Sequence, residues 1–176
     1  EVILSLPKGR KLQAITVSAN RRQTTIINAT LENATLNTNG YLLRIEGSRI
    51  KNSKFTTPNI INIFKTELTD SQVKTEGGHI YAENIKVRGK VELDSHNHLR
   101  LFLSKTEFDR INLDISSKHG GIYRKAYREH PKQKDNELAN PYKTEKADVK
   151  DLLIIKANQD IYLPKEEEYS APPRNH

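Results

Sequence analysis

The sequence predicts an all-β chain wound into a parallel β-helix, a solenoid of about four to five rungs with a polar C-terminal extension. Three observations carry this. Pairs of large apolar residues five apart recur every 18 or 19 residues, as Leu31/Leu36, Ile50/Phe55 and Leu68/Val73. Small residues (Ala29, Ala34, Ser48, Ser53, Thr66, Ser71) sit two before each of these. Asn, Thr, Ser and Gly dilute the residues that favour helices.

Positions five apart lie about 140° apart on an α-helix and share no face. One amphipathic strand is too short to hold the whole unit. A rung of a solenoid accommodates it: short strands bury their inward residues, turn a corner and stack on the previous rung about 4.8 Å away. The alternative with evenly spaced short strands is an antiparallel β-sandwich.

Taken in order, residues 1–22 read as an N-terminal cap and basic segment, with "EVILSLP" as a cap strand ending at Pro7. Residues 23–117 form the repeat body. Its segments are 23–39, 40–58, 59–77 and 78–96, followed by a looser fifth over 97–120 that contributes Phe108/Leu113. The 78–96 segment fits least well, because the spacing of Ile85, Val87, Val91 and Leu93 has shifted. Residues 118–176 read as a basic, polar loop over 119–146, a return strand within 149–163 and a disordered tail.

"ATLEN ATLNT", "SRIKN SKFTT" and "TELTD SQVKT" each read as two units of the pentapeptide-repeat type. The rest of each rung departs from that pattern. Over roughly residues 23–117 the chain therefore resembles an irregular right-handed parallel β-helix, the class that includes filamentous adhesins, autotransporter passengers and pectate lyases. The resemblance implies an architecture and leaves the chemistry open.

Composition narrows the functions. The 176 residues are 35% apolar, 6% aromatic and 29% charged, which suits a thin elongated fold. There is no cysteine, hence no disulfide, thiolate metal site or cysteine nucleophile. There is no methionine either, so Glu1 is expected to follow a removed signal peptide or the boundary of a cut domain. No apolar run reaches the length of a membrane span.

The net charge of +7 is uneven. Residues 1–22 carry +4 and residues 118–134 carry +5, flanking a nearly neutral middle. One reading is a solvated surface; the sharper one is a surface for a polyanion. Within 119–134, Tyr123 and Tyr127 interleave with Arg124, Lys125 and Arg128, and Arg21 and Arg22 add a second cluster. Aromatic faces stack on sugar rings or bases, while Arg and Lys pair with sulfate, carboxylate or phosphate. The competing reading packs those tyrosines against the solenoid end as a cap.

Asp94, His96 and His98 alternate, so on a strand they would project to one face as metal ligands, with His79 able to come near. The competing reading is a polar turn at a rung boundary, where such residues are expected. No nucleophile elbow or phosphate-cradling glycine loop occurs, and no catalytic residue or cofactor is assigned. Glu67, Glu107 and Asp109 would approach one another only through rung stacking. The two Asn-Ala-Thr sequons at 28–30 and 33–35 follow from the repeat's own composition.

The expectation is an exported, non-catalytic binding or adhesin-like module, secreted or at a bacterial cell surface. It would contact an acidic glycan, lipopolysaccharide or a protein partner, and the signatures of nucleic-acid folds are missing. The alternatives are a β-helix lyase or hydrolase acting on polysaccharide, and an assembly subunit that stacks through solenoid ends.

Overall fold

A computed structural model describes residues 2–5, 11–13, 16–19, 23–124 and 134–163. Its first strands, β1 (Val2–Ser5), β2 (Lys11–Gln13) and β3 (Thr16–Ala19), lie in three different sheets, here I, II and III. The order repeats with β4 (Thr24–Ile27), β5 (Thr30–Glu32) and β6 (Thr35–Thr38), then with β7 (Leu42–Glu46), β8 (Arg49–Lys51) and β9 (Lys54–Thr57). Two further turns follow: β10 (Ile60–Phe64), β11 (Glu67–Thr69), β12 (Gln72–Thr75), and β13 (Ile80–Glu83), β14 (Lys86–Arg88), β15 (Lys90–Ser95). Successive turns pair in parallel. Strands β4–β15 thus complete four turns of a parallel solenoid, not a sandwich. Strands β1–β3 continue the same order beside them, and within "EVILSLP" the residues Val2–Ser5 form a strand of sheet I.

The five-residue spacing is the step from one sheet to the next. Leu31, Ile50, Leu68 and Val87 register in sheet II, and Leu36, Phe55, Val73 and Leu93 in sheet III. All are at most 2% exposed, so each ladder is continuous core.

Corners between strands need a residue with positive φ. Asn28, Gly47, Lys65 and Asn84 turn from sheet I to sheet II, and Asn33, Asn52, Asp70 and Gly89 from II to III. Asn, Asp and Gly bear this left-handed conformation at least cost, which is why they punctuate the repeat.

The small residues after each corner satisfy the stacked backbone. Ser53 Oγ accepts from Ala34 N–H at 3.0 Å and donates to the Lys51 carbonyl at 2.7 Å. Ser48 makes the equivalent pair with Ala29 N–H and the Glu46 carbonyl, and Ser71 with Ser53 N–H and the Thr69 carbonyl. A buried hydroxyl that both accepts and donates leaves no orphan there.

The misfit at 78–96 has a local cause. Leu68 and Val87 register 19 residues apart, but Val73 and Leu93 register 20 apart, so the second corner holds one extra residue. Gly89 sits in that corner, and a Cβ there would meet Asp70 Oδ1 at 2.0 Å.

The fifth segment departs further. After β16 (Leu99–Phe102) the chain forms a short helix, α1 (Lys105–Asp109), in place of a sheet II strand, and then β17 (Asn112–Ser117). Ser104 caps the helix by accepting Glu107 N–H at 3.2 Å. Phe108 is only partly buried, and Glu107 is the buried member instead.

The polar stretch 119–146 is not one loop. It contains β18 (Ile122–Tyr123), a 3₁₀ turn at Lys134–Asn136, β19 (Glu137–Leu138) and β20 (Tyr142–Lys143). Strands β19 and β20 run antiparallel to β18 and β17. The chain then returns as β21 (Leu152–Ala157) and β22 (Ile161–Tyr162). Strand β21 lies between β15 and β17, and β22 between β16 and β18, so the last turn in sequence is not last in space. The tail expected over 164–176 lies outside the described residues.

Candidate functional site: a groove along one corner

The corner between sheets II and III is concave because its floor is small. Ala34, Ser53 and Ser71 are buried there, one per rung. One bank carries the left-handed corner residues Asn33, Asn52 and Asp70, all exposed. The other carries Thr35, Lys54, Gln72 and Glu92, held side by side by strand register. With Lys90 they line an open groove of about 510 Å³. It crosses four rungs, hence three spacings of about 4.8 Å each.

Its carboxylates are already engaged. Asp70 Oδ1 accepts Lys90 N–H at 3.0 Å, and Glu92 Oε1 pairs with Lys156 Nζ at 2.8 Å. The hydrogen bond and charge of Glu92 raise the Lys156 pKa above its ordinary value. Among the described residues, the ammonium groups of Lys54 and Lys90 form no ion pair, and both residues are exposed. The groove therefore offers two cations and the amides of Asn33, Asn52 and Gln72 along four stacked rungs. Such a lining can hold an extended, hydroxyl-rich chain bearing anionic groups.

Of the residues singled out in the sequence, those that are described lie elsewhere. Tyr123 is 8% exposed, stacks on Tyr162 with ring centroids 5.8 Å apart and lies under β19, so it packs inside the covered end of sheet I instead of lining a surface. Arg124 is exposed, and its N–H donates to the Asn136 carbonyl at 2.8 Å. Arg21, Arg22, Lys125, Tyr127 and Arg128 lie outside the described residues.

Asp94, His96 and His98 do not project from one strand. Strand β15 ends at Ser95, which places His96 and His98 in the following turn. Asp94 faces Lys74 at 3.6 Å, and His96 is exposed. His98 stacks on His79, with centroids 5.5 Å apart and planes 8° apart, and its Nδ1 lies 3.9 Å from Asp160 Oδ2. Stacked rings aim their nitrogens sideways, not at a shared centre. Among the described residues, no group of three or more His, Asp or Glu side chains is placed to hold a metal ion. Burial, then the positive fields of His98 and Arg100, holds the His79 pKa below its ordinary 6.5.

Glu107 and Asp109 do not form a free carboxylate pair. Glu107 is buried against Arg88 and Arg110, while Asp109 is exposed on α1. In the sequence each groove residue looks like ordinary repeat punctuation. The available signal was phase: Asn33 and Asn52 recur 19 apart, with Thr35 and Lys54 two residues after each.

The strand order defines an all-β protein of the parallel β-solenoid class. Among the described residues, no helix is long and apolar enough to cross a membrane. A family model, Toastrack DUF4097, matches residues 2–163, and the chain belongs to that family. The likeness to pentapeptide-repeat proteins and autotransporter passengers extends to solenoid architecture alone. Comparison with curated proteins and with solved structures finds no match.

Proposed function

We propose that this chain is a non-catalytic binding module that holds an acidic glycan strand along the II/III corner, in secreted form or at a cell surface. The observation that carries the reading is the groove itself, about 510 Å³, with Lys54 and Lys90 exposed and without ion pairs among the described residues. A pyranose ring in an extended polysaccharide advances by close to one rung spacing, so successive sugars lie against successive rungs, with the amides of Asn33, Asn52 and Gln72 beside them. Carboxylate or sulfate groups on the sugars meet the two ammoniums. Engagement of Asp70 and Glu92 in structural contacts favours binding over hydrolysis.

The test is binding to heparin, lipopolysaccharide, pectate and duplex DNA at low and at moderate salt, with each recovered ligand checked for cleavage. Selective glycan binding that persists at moderate salt, with ligand intact, is the expected result. Weak binding to every polyanion that vanishes with salt would reduce the charge to ordinary solvation. Cleaved ligand would replace a binding module with an enzyme.

A further inference from the structure

One of the two groove cations is an insertion. Asp70 N–H donates to the Arg88 carbonyl at 3.1 Å, which stacks Gly89 on Asp70, and Gln72 registers with Glu92. Between Asp70 and Gln72 lies Ser71 alone; between Gly89 and Glu92 lie Lys90 and Val91. Val91 is buried as Ser71 is, so Lys90 is the residue added. Its N–H is taken up by Asp70 Oδ1, its side chain is exposed, and the register resumes at Glu92 with a cation added to the groove.

The insertion sets a charge pattern along the groove. Lys54 stands on one rung, Asp70 on the next and Lys90 on the one after, while Glu92 beside Lys90 is already paired with Lys156 at 2.8 Å. The two cations are thus two rungs apart, about 10 Å along the stack, and the rung between them presents a carboxylate. Asp70 is exposed, and among the described residues it forms no ion pair. Resting on the reading that a glycan lies here with one sugar per rung, we infer that the ligand is a chain with a carboxylate on every second sugar, an alternation of uronic acid and neutral sugar. Its acids meet Lys54 and Lys90, while the neutral sugar between them donates hydroxyl hydrogen bonds to Asp70. A polyuronate, acidic at every sugar, sets a carboxylate against Asp70, and like charges repel. Lys90 and Asp70 are therefore the specificity-determining residues, one by attraction and the other by exclusion.

The test is calorimetry of the full chain at moderate salt with two probes of equal length. One is a hyaluronan octasaccharide, in which glucuronic acid alternates with a neutral N-acetylated sugar; the other is an octagalacturonate, acidic at every sugar. Net charge alone favours the galacturonate, which carries twice the charge. The hyaluronan fragment should nevertheless bind about fivefold more tightly, the scale of one like-charge contact in water at about 4 Å. Asp70→Asn retains an acceptor for Lys90 N–H and suits the left-handed corner, where φ is +46°. It should close most of the gap by strengthening galacturonate binding, and Lys90→Gln should weaken hyaluronan binding several-fold. Galacturonate binding as tightly as hyaluronan or more so, a ratio that Asp70→Asn leaves unchanged, or hyaluronan binding that Lys90→Gln leaves intact overturns the alternation while the groove still holds a glycan. Binding of neither fragment overturns the glycan reading and the alternation with it. The comparison of the two probes on the unsubstituted chain needs no variant, so a misfolded variant leaves the inference decided by that ratio.

Discussion

Glu107 takes the place of a missing strand against Val87. Its carboxylate accepts the Val87 N–H at 2.5 Å, where the next rung's carbonyl would lie, and Arg88 and Arg110 hold that carboxylate at 3.2 and 3.0 Å. Its side chain is 6% exposed, so the pairing carries the full penalty of being broken. Glu107→Ala is expected to cost about 3 kcal/mol, a typical value for orphaning buried charged partners. Glu107→Gln retains an acceptor for Val87 and should cost less. Urea unfolding of the intact chain measures both; equal losses would mean that the charge, not the edge contact, matters.

The inserted strand makes a second prediction. Ile155 is 0% exposed and registers with Leu93 on one side and Ile115 on the other. Ile155→Ala should lower stability by about 3 kcal/mol through lost burial and a cavity between two rungs. Ending the chain at residue 149 removes the one strand that, among the described residues, β15 and β17 share as a neighbour. That truncation should bring fast exchange to β17 while β7–β12 amides stay protected. Unchanged protection at β17 would contradict the intercalated order.

Much of this fold was legible, and the limits have physical causes. Leu31/Leu36 and Ile50/Phe55 declared the rungs because burial and stacking repeat them faithfully. The return strand over 152–157 was legible as a strand, but alternation reports only which side chains face inward, not which edges lie beside them. Leu93, Ile155 and Ile115 form one ladder, and nothing local orders them. Phe108 matched the apolar phase, yet Ser104 and Glu107 make a helix start that overrides it. The groove was least visible, because Lys54 and Lys90 acquire a common surface only through stacking of distant rungs.

Corner residues give opposite signs for opposite substitutions. Gly47 has φ +60°, and a Cβ there would meet Asn28 Oδ1 at 2.4 Å. Gly47→Ala should therefore destabilise by about 1–2 kcal/mol, the usual cost of forcing this conformation on an L-residue. Lys65 occupies the equivalent corner one rung on, with φ +47°. Lys65→Gly should raise stability by up to about 1 kcal/mol after the entropic cost of glycine. Thermal melts distinguish the two; same-sign shifts would contradict the corner assignment.

His79 predicts a pH dependence. Its pKa lies below the ordinary 6.5, mainly through burial, so the unfolded chain binds its proton more readily than the folded chain. Stability should accordingly be full above about 6.5 and fall as pH drops from there toward the folded-state value. Protonation at Nδ1 would also remove the acceptor for His98 N–H, now at 3.3 Å. The urea midpoint should decline between pH 7.5 and 5, and His79→Gln should flatten part of that decline. A steeper decline in His79→Gln would reverse the sign.

The measurement that bears most directly on the groove is heparin-oligosaccharide titration of two charge-matched variants by calorimetry. One variant carries Lys54→Glu and Lys90→Glu in the groove; the other carries Lys51→Glu and Lys86→Glu on the outer face of sheet II. The groove variant should lose binding at least tenfold at moderate salt while the sheet II variant stays within a few-fold of the unsubstituted chain, a tenfold change being about 1.4 kcal/mol. Equal losses in both would mean that the chain attracts polyanions through its net charge and that the groove recognises nothing.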